Sequence, residues 1–231
     1  MSRPSPLTDL AVAIDAFAAG RTVVIVDDED RENEGDLVVA GDFATPEAIN
    51  FMIREGCGLV CLAMDAPLVD RLGLPMMVPD ADNSSGYGTG FTVSVEAARG
   101  VTTGISARDR ARTIAALVDP ASTRADLAMP GHVFPLRARP GGTLERRGQT
   151  EASVDLAKLA GLTPAGVICE ILRPDGEMMR LAELTGFCRR HGLPLISVEQ
   201  IAAHRRASEG DGATGGGDGA AIAVAAAVAA A

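Results

Sequence analysis

Between Asp27 and Asp36 the chain places seven carboxylates and one arginine in ten residues, "DDEDRENEGD". Neighbouring acids can act as bases and acids in turn, or hold a cation. A solvated loop would account for an arbitrary run of charge. Two features argue against that here. The run follows an apolar β-branched segment, Val23 to Val26, and α/β proteins place ligands at the ends of such strands. Arg31 also lies inside it, able to orient a phosphate or a carboxylate. An EF-hand does not fit, because position twelve counted from Asp30 is Gly41 rather than Glu. A magnesium ion held by one or two carboxylates plus substrate oxygens is allowed.

Four other stretches carry chemical potential. In "RRGQTEAS", Arg146 and Arg147 lead into Thr150, the expected N-cap of a helix, and arginine beside a helix N-terminus suits a phosphate monoester. Glu170 interrupts the apolar run "GVICEIL"; an ionised buried carboxylate is costly unless paired, so it belongs at a site or near a strand end. His132 begins a strand after a Pro-Gly turn, whereas His191 and His204 read as structural or exposed. "VTTGIS" precedes a helix with Ser106 and Asp109 spaced as a capping box, and its free N–H groups could take an anion. "SGYGTGFTV" is glycine-rich, but a strand follows it, so it is a turn or a ligand contact and not a dinucleotide fingerprint.

The elements that must position these groups follow from periodicity. Helices are expected over Thr8–Ala19, Thr45 to about Gly56, Ser106–Val118, Thr150–Ala160, Met178–His191 and on to about Arg206. Strands are expected at Val23–Val26, Leu37–Ala40, "GLVCLAM", "GFTVSVEA", "HVFPLRA", "AGVICEIL" and "LPLISV". Interspersed strands and helices give a mixed α/β class with one core. Residues 1–207 form that domain, and a disordered Gly/Ala-rich tail is expected from Ser208 to 231. The last twelve residues are mostly alanine and too few to span a membrane.

Composition excludes several classes. The 231 residues are 47% hydrophobic and 23% charged, enough for a packed core. A net charge of −10 repels nucleic acid and anionic membranes, and 3% aromatics without Trp offers no base-stacking platform. Four cysteines without a C-x-x-C pair give neither a zinc site nor a disulfide framework. Reduced thiols in the cytoplasm are the expectation, with no signal peptide.

Taken in order, "DDEDRENEGDLVVA", "YGTGFTVSVEAARGVTTGISARDRARTI", "PGHVFPLRA", "GGTLERRGQTEASVDLAKLAG" and "AGVICEIL" closely resemble the 3,4-dihydroxy-2-butanone 4-phosphate synthases, lyases of riboflavin biosynthesis. The likeness runs from about residue 8 to 206. It implies a single-domain, mixed-sheet α/β sandwich that forms a homodimer with active sites built by both subunits. It implies conversion of the sugar phosphate D-ribulose 5-phosphate to formate and a butanone phosphate, with Mg2+ or Mn2+. By matching motif, Arg31, Glu32 and Asp36 would contact substrate, with Glu32 also on the metal. Asp27, Glu34 and Cys61 would line the pocket, and Asp27 and Cys61 stand with His132 and Glu170 as catalytic candidates. Arg146, Gly148 and Thr150 would hold the phosphate, and His132 and Glu170 match the pair essential for turnover. The Gly/Ala-rich end implies that no fused GTP cyclohydrolase II domain follows.

The family motif R-G-G-H-T-E is here "RRGQTE". Gln149 stands at the second metal-ligand position, where the family has His, and Arg147 stands where it has Gly. Two readings follow. Gln149 coordinates through its carbonyl oxygen, or the chain is a paralogue with an altered reaction or a non-catalytic partner. Arg147 strengthens phosphate binding, or it blocks the pocket.

Overall fold

Apolar runs that show no alternation in the sequence become strands covered on both faces. The structure, a computed structural model, describes residues 5–212. Its strands are β1 (Val23–Val26), β2 (Gly35–Ala40), β3 (Cys61–Met64), β4 (Val95–Ala97), β5 (Leu127–Arg137), β6 (Ala165–Glu170) and β7 (Leu195–Ser197). Its helices are α1 (Leu10–Ala18), α2 (Pro46–Phe51), α3 (Ala66–Arg71), α4 (Ala107–Val118), α5 (Gln149–Leu159), α6 (Leu181–His191) and α7 (Val198–Gly212). One mixed sheet runs in the order β4-β5-β3-β6-β2-β1-β7. β6 pairs antiparallel with both β2 and β3, while β1–β7 and β3–β5 are parallel.

Side chains alternate across the sheet into two cores. Leu37 and Val39 of β2 join Ile49 of α2, Ile114 and Leu117 of α4 and Phe187 of α6. Val38 and Ala40 join Phe17 of α1, Leu156 of α5 and Ile201 of α7. Each fully buried large side chain contributes about 1.5–3 kcal/mol, so the central strands are the rigid part of the molecule. β2 and β6 are such strands, and their ends carry the acidic run and Glu170.

Local chemistry sets the boundaries. Thr45 caps α2, its hydroxyl accepting the Ala48 N–H at 3.2 Å, with Pro46 in the first turn. The helix then widens into a π-turn over Met52–Gly56 and stops at Cys57, whose φ is 65°. α3 has no counterpart among the expected elements; Asp65 caps this six-residue helix. The strand expected at Gly90–Ala97 shortens to β4, because Phe91 and Thr92 make only isolated bridges, to Leu136 and Met76. β5 starts at Leu127, ahead of the expected His132, because Leu127 and Ala128 pair with β4. α7 continues to Gly212, past the expected end near Arg206, so the tail expected from Ser208 begins inside this helix. Residues 213–231 of that tail lie outside the described residues. Among the described residues no helix is long and apolar enough to cross a membrane.

Candidate active site

The acidic run is the loop from β1 to β2, and Asp27 organises it. Its buried carboxylate accepts the Glu34 N–H at 2.8 Å, the Glu32 N–H at 3.1 Å and Arg31 Nη1 at 2.7 Å. Asn33 takes the left-handed turn with φ 55°, which a short polar side chain tolerates. Arg180 Nη1 donates to the carbonyls of Glu32 and Asn33, both at 2.7 Å. Tyr87 donates its hydroxyl to the Arg31 carbonyl at 2.6 Å, and its ring centre lies 4.7 Å from the guanidinium carbon. Asp27, expected to be catalytic, is therefore committed to holding the loop and lies outside the cavity lining.

Arg31 Nη1 sits among three oxygens. Besides Asp27 it lies 3.0 Å from Glu32 Oε2 and 3.2 Å from Gln149 Oε1. Burial alone would lower the Arg31 pKa; hydrogen bonds and charge from Asp27 and Glu32 outweigh this and raise it. The Gln149 amide donates in turn to the Glu34 carbonyl at 3.3 Å, which fixes its orientation. A reversed amide would set N–H against guanidinium and oxygen against carbonyl.

These groups wall a cavity of about 170 Å³. Glu32, Glu34, Asp36 and Glu170 bring four carboxylates to it, and Arg31 and Arg146 bring two cations. Asp36 and Glu170 are register partners across β2 and β6. Burial raises the Asp36 pKa well above the usual carboxylate value, and the charges of Glu170, Glu32 and Glu34 add to the rise. Glu34 is raised by burial first and by Glu32 next. Glu170 Oε2 accepts the Leu59 N–H at 2.8 Å. Gly58 makes that approach possible: a Cβ there would lie 2.5 Å from Glu170 Oε2 and 2.7 Å from its backbone nitrogen.

The start of α5 forms the opposite wall. Gly148, not Thr150, is its N-cap; Thr150 falls in the first turn on the cavity wall. A Cβ at Gly148 would lie 2.3 Å from Arg146 Nη1 and 2.9 Å from Arg31 Nη2, so a larger residue there would push the guanidinium ends aside. Arg146 bonds Glu151 at 2.5 Å, the Tyr87 carbonyl at 2.9 Å and Thr89 Oγ1 at 2.9 Å. Arg147 turns the other way, to Asp28 at 2.9 Å and to Glu199 of α7. It neither faces the cavity nor blocks it, so both readings of that departure fail.

Three further expectations change. Cys61 lies in the core among Ile168 and Leu136, and burial pushes its thiol well above its usual pKa. The anion expected at "VTTGIS" is the protein's own. Asp109 accepts the Thr102 hydroxyl at 2.7 Å and the N–H groups of Thr102 and Gly104 at 3.1 Å. That carboxylate is thereby unavailable for the capping box, although Ser106 still accepts the Asp109 N–H at 3.0 Å. His132 lies outside the cavity lining, with its side chain 46% exposed and its Nδ1 against Glu96. Tyr87, Thr89 and Arg180 were not anticipated; the glycine-rich stretch around Tyr87 was the available signal.

The donor set fits a magnesium ion in kind. All four cavity carboxylates are oxygen donors, and their mutual repulsion is relieved by a cation. Among the described residues no three His, Cys, Asp or Glu side chains converge as a closed cage. Glu32, part-exposed on the cavity wall, is the carboxylate that would hold such an ion. The Gln149 oxygen is already engaged by Arg31.

A family model described as 3,4-dihydroxy-2-butanone 4-phosphate synthase matches residues 11–204. The chain is 55% identical over 199 residues to the synthase of that name from Pelobacter propionicus, covering 86% of this chain and 84% of the relative. It is 57% identical over 191 residues to that from Rhodospirillum rubrum, covering 83% and 88%. To the relative from Neisseria meningitidis serogroup B it is 53% identical but spans only 56% of that protein. A solved 3,4-dihydroxy-2-butanone 4-phosphate synthase in complex with two magnesium ions superposes with a TM-score of 0.85 at 41% identity, covering 88% of this chain and 99% of that one. The acid-lined end of β2 and β6, the arginine-bearing start of α5 and these likenesses converge on one assignment: the chain belongs to the 3,4-dihydroxy-2-butanone 4-phosphate synthase family.

Proposed function

We infer that the protein converts D-ribulose 5-phosphate to 3,4-dihydroxy-2-butanone 4-phosphate and formate, the lyase step of riboflavin biosynthesis. The observation that carries the reading is the cavity itself, with four carboxylates on one side and Arg146 and Thr150 at the start of α5 on the other. Arg146, Gly148 and Thr150 bind the phosphate, through the guanidinium and the first-turn N–H groups. Arg31, Glu32 and Asp36 orient the sugar hydroxyls. The reaction enolises, dehydrates and rearranges the ketose, and each stage moves protons between carbon and oxygen. Asp36, its carboxyl pushed up by burial, acts as an acid toward a departing hydroxyl, and Glu170 accepts a proton from carbon. Glu32 would hold Mg2+ or Mn2+, which when bound polarises substrate oxygen as a Lewis acid.

His132 does not line the cavity of its own chain. Its exposure supports a homodimer in which His132 of one protomer reaches the site of its partner. Four free cysteines support a cytoplasmic setting.

Purified protein with ribulose 5-phosphate and magnesium, followed by proton NMR, tests the reading. Formate and the butanone phosphate in equal amounts are expected. Substrate consumed without formate would assign an altered reaction, and no consumption would assign a non-catalytic protein.

A further inference from the structure

We propose that Arg147 is a positioning residue that orders the acidic loop from outside the cavity, with no divalent ion required. Consecutive side chains at the start of α5 diverge to the two loops that frame the site. Arg146 takes Tyr87 and Thr89 of the glycine-rich loop. Arg147 takes Asp28 of the acidic loop through Nε at 2.9 Å and Nη2 at 3.3 Å, and its Nη1 meets Glu199. Glu199 is held from its other oxygen by Arg206 Nη2 at 2.6 Å, so the clamp is anchored in α7.

The loop needs such a device. Asp28, Glu29 and Asp30 stand in sequence, and like charges this close push the loop open. Asp27 and Arg180 secure the end near Glu34, leaving Arg147 as the partner of the Asp28 side chain among the described residues. Arg147 and Gln149 therefore touch the same loop. Gln149 engages Arg31, Arg147 engages Asp28, and both contacts are made by the protein's own cations. Such partly exposed pairs are individually weak, and their effect comes from acting as a network.

Hydrogen exchange in EDTA tests this without any turnover, so its outcome is separate from the assigned reaction. The probes are the Arg31, Glu32 and Glu34 amides, each bonded within the loop. R147G is expected to exchange about five-fold faster at these amides, with β2 and β6 unchanged. R147K, which keeps charge but loses the fork, recovers part of the protection. E199Q gives a smaller acceleration, and R147G/E199Q exchanges no faster than R147G, because the two act through one contact chain. In kinetics, which rest on the reaction assigned above, R147G raises KM for ribulose 5-phosphate with kcat within about two-fold. Wild-type protection at those amides that appears only when magnesium is added would overturn the proposal. So would R147G exchanging at the wild-type rate. If R147G loosens β1 and β2 as well, R147K and E199Q decide, and unchanged loop exchange in both overturns it.

Discussion

Asp36 and Glu170 are register partners across antiparallel β2 and β6, two carboxylates on the same face of adjoining central strands. Directly opposed like charges destabilise a ladder, and here the backbone leaves them no room to separate. Burial first, and the charge of Glu170 next, push the Asp36 carboxyl well above the usual carboxylate range. The fold therefore carries an acid beside a second carboxyl group at the floor of its cavity.

That relationship sets a pH dependence. The folded-state pKa of Asp36 lies above its unfolded value, so the protonated form favours the fold. This stability is fully present below the unfolded value, about 3.9, and is lost as pH rises through the raised folded value. In EDTA, wild-type Tm should fall from pH 5 to 9 while Asp36→Asn falls less, about 3 °C for each kcal/mol relieved. Scanning calorimetry across that range checks it, and a wild-type Tm that falls no more steeply than that of Asp36→Asn would contradict the assignment. Asp36→Asn should also lose activity.

Glu32→Gln should abolish magnesium dependence together with activity, because the remaining donor at the neighbouring position is neutral and engaged. Calorimetric titration of magnesium alongside the formate assay measures both. A loss of about 100-fold or more in kcat is expected, and full activity would remove Glu32 from the metal.

Gln149→His should raise magnesium affinity or turnover, since imidazole replaces an amide whose oxygen Arg31 already holds. The same change breaks the bond to the Glu34 carbonyl, so Tm should drop by a few degrees, about 1 kcal/mol. Unchanged affinity and turnover in an active enzyme would mean the glutamine is no handicap.

Gly58→Ala should displace Glu170, because the new methyl would stand 2.6 Å from its backbone oxygen and 2.5 Å from its carboxylate. A fall of about ten-fold or more in kcat and a stability loss of about 1–3 kcal/mol are expected from such overpacking. Denaturant melts and steady-state kinetics read the two effects separately.

Thiol titration should count one fast cysteine in the native protein and four after denaturation. Cys57 is exposed, whereas Cys61, Cys169 and Cys188 are buried. Burial pushes Cys169 and Cys188 up to about 12, so little thiolate forms at pH 8. A fast reaction at Cys61 would place it at the cavity surface.

The order of strands and helices was legible because apolar runs and caps such as Thr45 and Ser106 are local signals. The candidate cavity was legible because Glu170 and the acidic run break those patterns. What stayed hidden depends on contacts remote in sequence. Gly148 rather than Thr150 takes the cap of α5, and Arg31 reaches it from a remote loop. Asp109 fills the expected anion site from within its own helix. Asp27 turns inward to its loop, and Arg147 finds α7, fifty residues on in the chain and invisible to any local pattern.

The widened turn at Met52–Gly56 carries one more implication. An ordinary helical turn advances about 100° per residue, and the π-turn holds an extra residue within its span. Deleting a residue from this turn would tighten the winding and shift the chain that leads to Leu59. The Leu59 amide would then be displaced from β6, and Glu170 would lose that donor although no residue of the cavity wall had been altered. Length, as much as composition, sets where this segment delivers its donor.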